Sequence, residues 1–138
     1  MLTFLSPEWI AAVDEALRAD DEIRRLTAGL ELTIEQRVTG VDPALAADGQ
    51  VSYHVSFSDG RAGASPGPAE APTIRFSQDE NTARAIAAGT GSAQRAFMTG
   101  RLTVGGDLRV LLDHGDLLAQ VGDVFAAVRA RTDLGTAS

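Results

Sequence analysis

Few residues in this chain could do covalent chemistry. Gly63-Ala64-Ser65-Pro66-Gly67 has the letters of a nucleophile elbow, where a tight strand-to-helix turn presents a serine for attack. Pro66, Gly67 and Pro68 forbid the helix that must follow, so Ser65 reads as a loop serine. His54 lies with Ser52, Ser56 and Ser58 on the polar side of an alternating segment and reads as a solvated strand histidine. His114 follows Asp113 at a helix end, where the negative terminus favours an imidazolium. Two histidines with no repeated carboxylate spacing make no metal signature. There is no cysteine, which removes thiolate chemistry. Gly89-Thr90-Gly91 is a fragment of a phosphate loop, but it follows a helix instead of a strand. Asp20-Asp21-Glu22 and Asp79-Glu80 fall at helix starts, where capping explains them. No catalytic residue, metal or cofactor is therefore expected, and a hydrolase using Ser65 or His54 ranks third among the readings.

The elements around these residues follow from periodicity. Ser6-Pro7-Glu8 is a helix start: a capping hydroxyl, proline at the first position and an acid near the positive end. Trp9, Ile10, Val13 and Leu17 continue at helical spacing, and Asp20-Asp21 ends or restarts the helix. Residues 30–39 alternate, with Leu32, Ile34 and Val38 facing the core and Glu31, Thr33, Glu35 and Arg37 on a wet face. Val51, Tyr53, Val55 and Phe57 mark a second strand, and Asp59-Gly60 signals a hairpin. The return strand from Arg61 has only Ala62, Gly63 and Ala64 to pack, so a weak edge strand is expected. Residues 65–71 read as a mobile loop. Thr73 to Phe76 form a fourth strand, and Ser77 with Glu80 forms a capping box for a helix to about Ala88.

The stretch from Gly89 to Leu118 joins three elements through glycines. Ser92 can cap a helix over Ala93 to Met98, and Gly100 can end it in the left-handed conformation. Leu102 and Val104 alternate as a strand that Gly105-Gly106 breaks. Asp107 caps the next helix, and Asp116 caps the last, which runs to about Arg131. The order is helix, three strands, a crossover strand, two helices, a strand and two helices. That is an α+β domain: about five mostly antiparallel strands covered by helices. With 138 residues and no linker, residues 1–138 form one domain, with residues 1–5 and 132–138 frayed.

The totals exclude several partners. A net charge of −7 repels phosphate backbones, so no nucleic-acid partner is expected. It also disfavours anionic bilayers, leaving at most transient membrane contact. No apolar run reaches the roughly 18 residues of a span. The beginning lacks a secretory pattern and the end lacks a peroxisomal signal, which makes a cytoplasmic location the expectation.

The run AFMTGRLTVGGDL carries a resemblance. Ala96, Phe97, Met98, Gly100, Arg101, Leu102, Val104, Gly106 and Asp107 match a segment of the sterol carrier protein 2 family, with Gln94 fitting the position before it. The family's small domains bind lipids, and its element order is similar to the one read here. The resemblance implies an apolar cavity between helices and sheet. Its expected lining is Ile86 from the helix ending near Ala88, then Phe97 and Met98, then Leu102 and Val104. Leu108, Leu111 and Leu112 add a further face, and Leu118, Val121 and Phe125 the last one. Ala83, Ala87, Ala93 and Ala96 would leave room there. At about 0.8 kcal/mol per buried methylene, an acyl chain gains enough to bind and still be released.

The leading reading is non-enzymatic binding, and transfer, of fatty acyl chains, sterol-like molecules or phospholipids. The alternative is an interaction module of the same fold with a filled cavity, whose partner is a second copy or an enzyme.

Overall fold

The computed structural model describes residues 2–88 and 93–133. Among the described residues thirteen elements run in order. A two-residue strand β1 (Leu2–Thr3) precedes helices α1 (Pro7–Ala19) and α2 (Asp21–Leu26). Strands β2 (Glu31–Thr39), β3 (Gln50–Ser58), β4 (Arg61–Pro66) and β5 (Ile74–Asp79) follow. Then come helices α3 (Glu80–Ala88) and α4 (Ala93–Met98), strand β6 (Leu102–Gly106), and helices α5 (Leu108–Asp113) and α6 (Gly115–Arg129). A last strand, β7 (Thr132–Asp133), closes the order.

The main sheet has five strands in the order β4-β3-β2-β5-β6. Only β2 and β5 run parallel; the other neighbours are antiparallel. The α+β class with a mostly antiparallel sheet is therefore the observed one. Because β4 sits at one edge and β5 lies beyond β2, residues 67–73 must cross the sheet between them. They cross the face that carries Glu35 and His54, since the Ala69 N–H donates to Glu35 Oε1 at 2.9 Å and His54 Nδ1 lies 3.0 Å from the Gly67 carbonyl.

The helices cover the other face. Ser6 accepts the Trp9 N–H at 3.2 Å and Pro7 occupies the first position, as the local sequence requires. This start turns Trp9, Ile10, Val13 and Leu17 onto Ile34, Val55 and Phe57 of the sheet, all in one buried core. Each large side chain so buried contributes about 2 kcal/mol before entropy is subtracted. Helix α6 adds Leu117, Val124 and Val128 beside α1. Asp20 ends α1 and caps α2 by accepting the Ile23 N–H at 2.9 Å.

Several local expectations are corrected. The strand starting near Thr73 continues to Asp79, and Asp79, not Ser77, caps α3 by accepting the Thr82 N–H at 2.7 Å. Ser77 is committed to the sheet, between Arg37 and Thr103. Gly105 and Gly106 do not break β6; they pair with Arg75 and Ile74. The last helix starts at Gly115 with no side-chain cap, and it stops at Arg129. The expected fraying fails for Leu2–Leu5 and Thr132–Asp133: β1 and β7 pair in parallel, and Phe4, Leu5 and Thr132 are buried. Ser92 and Gly89-Thr90-Gly91 lie outside the described residues.

Strand β4 is an edge strand, but it is not loosely held. Asp14 of α1 reaches over it and accepts the Ala64 N–H at 2.9 Å. The small side chains that look weak in sequence let the helix lie this close; a Cβ on Gly63 would sit 2.7 Å from Asp14 Oδ1. The Asp59-Gly60 turn takes its expected form, with φ of 44° and 82° joining β3 to β4.

Candidate functional site

A partly enclosed pocket of about 200 Å³ lies between the helix-covered face of the sheet and α1, α3 and α6. Its floor is built from two successive rows across the sheet. Tyr53, Gln36 and Phe76 stand opposite one another on β3, β2 and β5. Val38, Gln78 and Leu102 form the next row on β2, β5 and β6. Strand alternation turns all of these to the same face.

The walls come from helices and from the segment before α1. Trp9 is the centre of an aromatic cluster: Phe4 lies edge-on at 5.1 Å, Tyr53 edge-on at 5.5 Å and Phe125 tilted at 5.9 Å. Such geometries suit the ring quadrupoles and fix the indole against the floor. Ala83 and Ile86 of α3 complete one side, and Gly122, Phe125 and Arg129 of α6 the other. Alanine and glycine at two wall positions leave the space that larger side chains would fill.

Polar groups at the floor are few. Gln78 Nε2–H donates to Gln36 Oε1 at 2.9 Å. Burial pushes the pKa of the Tyr53 phenol up, which keeps its hydroxyl neutral.

The expected lining divides four ways. Ile86, Leu102 and Phe125 line the pocket, and Val104 and Val121 pack partly buried against the core around it. Phe97, Met98, Leu108 and Leu112 are exposed, Met98 to 76 % and Leu112 to 84 %, and none lines the pocket. The side chains of Leu111 and Leu118 lie outside the described residues, as do those of Ala87 and Ala93. Sequence reasoning missed Phe4, Trp9, Tyr53 and Phe76. Tyr53 and Phe76 were marked by strand alternation, and Trp9 by its helix stripe, but all were read as solid core or left unassigned.

The opposite face holds the titratable groups. Ser65, His54, Glu35 and Arg75 occupy neighbouring register positions on β4, β3, β2 and β5. The order Ser–His–Glu resembles a hydrolytic set, but its hydrogen bonds go elsewhere. His54 faces the Gly67 carbonyl through Nδ1, and Glu35 is taken up by Arg75 at 2.6 Å, Arg37 at 3.3 Å and the Ala69 amide. A triad needs the carboxylate on the imidazole and the imidazole on the serine. The expected wet face is dry at this point: Glu35 has no solvent exposure, because residues 67–73 cover it. Burial pushes the Glu35 pKa up, yet the Arg75 and Ala69 hydrogen bonds with the charges of Arg75 and Arg37 outweigh it and hold the carboxyl below its ordinary value. The segment read as mobile, residues 65–71, is tied down at Gly67 and Ala69.

Among the described residues no group of three or more His, Cys, Asp or Glu could hold a metal ion, and no helix is long and apolar enough to cross a membrane.

Comparison with known proteins agrees with the fold. A conserved protein of Thermus thermophilus, described as possibly a sterol carrier protein, superposes with a TM-score of 0.73 at 20% identity, over 91% of this chain and 89% of that one. A crystal structure of sterol carrier protein 2 gives 0.71 at 20% identity, over 89% and 97%. The sterol carrier protein domain 2 of Helicoverpa armigera gives 0.63 at 15% identity, over 84% and 87%. A search of curated proteins finds no match. The sequence pattern of the SCP-2 sterol transfer family matches residues 12–119, which span α1 to the start of α6. The chain belongs to the SCP-2 sterol transfer family.

Proposed function

We propose that this protein binds the hydrocarbon part of a lipid, without catalysis, in the pocket between the sheet and α1, α3 and α6. One observation carries the reading: about 200 Å³ of space survives at the centre of an aromatic and aliphatic wall. An engineered apolar cavity of about 150 Å³ already takes up benzene. The space therefore suits a short acyl chain or a small ring, and a whole sterol or phospholipid requires α3 or α6 to move outward. The proposed contacts are Ile86, Leu102 and Phe125 with Trp9, Tyr53 and Phe76.

Family membership supports lipid binding, and the absence of a connected Ser–His–Glu set supports a carrier over a hydrolase. The reading is tested by displacement of a fluorescent fatty acid and by native mass spectrometry. Saturable binding at micromolar concentration, released by unlabelled octanoate or decanoate, is expected. No binding by either method overturns the proposal and leaves the interaction module with a filled cavity as the function of this fold.

A further inference from the structure

The apolar walls of the pocket end in two amides. Gln78 donates to the Gln36 carbonyl, and Gln78 Oε1 is then buried with no hydrogen-bond partner among the described residues. Since the Gln36 carbonyl is used in that bond, its NH₂ group is left to serve another partner. Turning both amides end over end preserves the bond and exchanges the two open atoms. Either way one carbonyl and one NH₂ of the pair stay outside their mutual bond, and both glutamines line the pocket. A buried carbonyl without a donor is costly, and a structure tolerates one chiefly where another molecule supplies the missing hydrogen bond.

The surroundings say what kind of head group fits. Tyr53, opposite Gln36 in the register, adds a neutral hydroxyl. Among the described lining there is no carboxylate, and Arg129, the only charged residue there, already has an interaction of its own. A carboxylate could pair with the Arg129 guanidinium, but it only accepts hydrogen bonds and leaves the open carbonyl bare. An ether or ester also only accepts. An alcohol both gives and takes one hydrogen bond at a single atom.

We propose that the pocket selects amphiphiles with a neutral hydroxyl head, which donates to the open carbonyl of the Gln36–Gln78 pair and accepts from its open NH₂. This assignment rests on the pocket holding a lipid chain. Its test compares two isomers, 1-octanol and heptyl methyl ether, with octanoate at pH 7, by calorimetry on the native protein. The alcohol is expected to bind about tenfold more tightly than the ether, the worth of one well-made hydrogen bond. Gln78→Met should bring the two isomers to equal affinity. The side-chain NH₂ resonances of Gln36 and Gln78 in the native protein should move with octanol and stay in place with the ether, a readout that does not depend on the variant folding. Equal binding of the two isomers, or octanoate binding more tightly than octanol, overturns the head-group assignment while the lipid pocket stands. Failure of all three to bind overturns the lipid pocket itself.

Discussion

Arg75 donates from Nε to Glu35 Oε2 at 2.6 Å, and the two residues stand directly opposite each other on the parallel strands β2 and β5. The same carboxylate receives the Ala69 amide, so one buried acid joins the only parallel strand pair of the sheet to the segment that crosses it. Removing one member of a buried ion pair strands the other, at a cost of about 3–5 kcal/mol. Glu35→Ala is expected to lower stability by about 2 kcal/mol in urea unfolding, below that range because Arg75 and Arg37, the charges left behind, are partly exposed. A loss under about 1 kcal/mol would show that the tie is incidental.

The pH dependence follows from the same group. The folded-state pKa of Glu35 lies below its ordinary value, so its stabilising contribution is complete above that value and is lost as the pH falls through the folded one. The midpoint of thermal unfolding should drop steadily below about pH 4.3, the unfolded-chain value. Glu35→Gln should start lower at pH 7 and show a shallower acid decline. Parallel curves for the two proteins would contradict this.

Gly106 is a second constrained position. It has φ +98°, and a Cβ there would sit 2.2 Å from the Thr73 carbonyl oxygen. Gly106→Ala combines a backbone clash with a conformation that side chains resist, and should cost at least about 2 kcal/mol. Gly100→Ala has an equally left-handed φ of +79° but nothing within 4 Å, so it should cost less. Chemical unfolding of the two variants side by side decides whether the close approach matters.

Asp14 protects the sheet edge through the Ala64 amide. Asp14→Ala should destabilise by about 1.5–3 kcal/mol, while Asp14→Asn, which keeps an acceptor, should recover much of the loss. Light scattering should also show the alanine variant associating more readily, since a bare edge invites pairing with another chain.

Ala83 offers a direct probe of the pocket. Ala83→Leu places new methyl groups in the open space, so binding of the fluorescent fatty acid should weaken at least tenfold with stability unchanged or raised. Unchanged affinity would move the ligand to another part of the molecule.

The local features of this fold were legible where the signal is local. The Ser6-Pro7 start, the Asp20 restart, the Asp59-Gly60 turn and the alternation of β2 and β3 each depend on neighbouring residues. Ser77 misled because a serine three residues before a glutamate fits a capping box equally well when it lies in a strand. Asp79, two residues on, competes for the same role with a shorter, charged acceptor. The MLTFL segment looked frayed because its partner lies 130 residues away by register (Leu2 opposite Thr132), and a parallel pairing at that separation leaves no local mark.

The site was legible only in part, for a related reason. Ile86, Leu102 and Phe125 stand out as apolar residues of the second half, but a pocket is defined by what is missing between side chains. Trp9, Tyr53 and Phe76 carry the same periodic signal whether they meet in a solid core or surround a space. Glu35 was hidden likewise: alternation puts it on the other face of the sheet from Ile34, and nothing in β2 says that residues 67–73 will lie over it.

The pairing of β1 with β7 brings the outermost described strands side by side. A short glycine–serine bridge could therefore connect them, with a new beginning opened at the Asp59-Gly60 turn. Such a circularly permuted chain would preserve every layer of the domain, and it would place a reporter group at the far end of the sheet without disturbing Trp9.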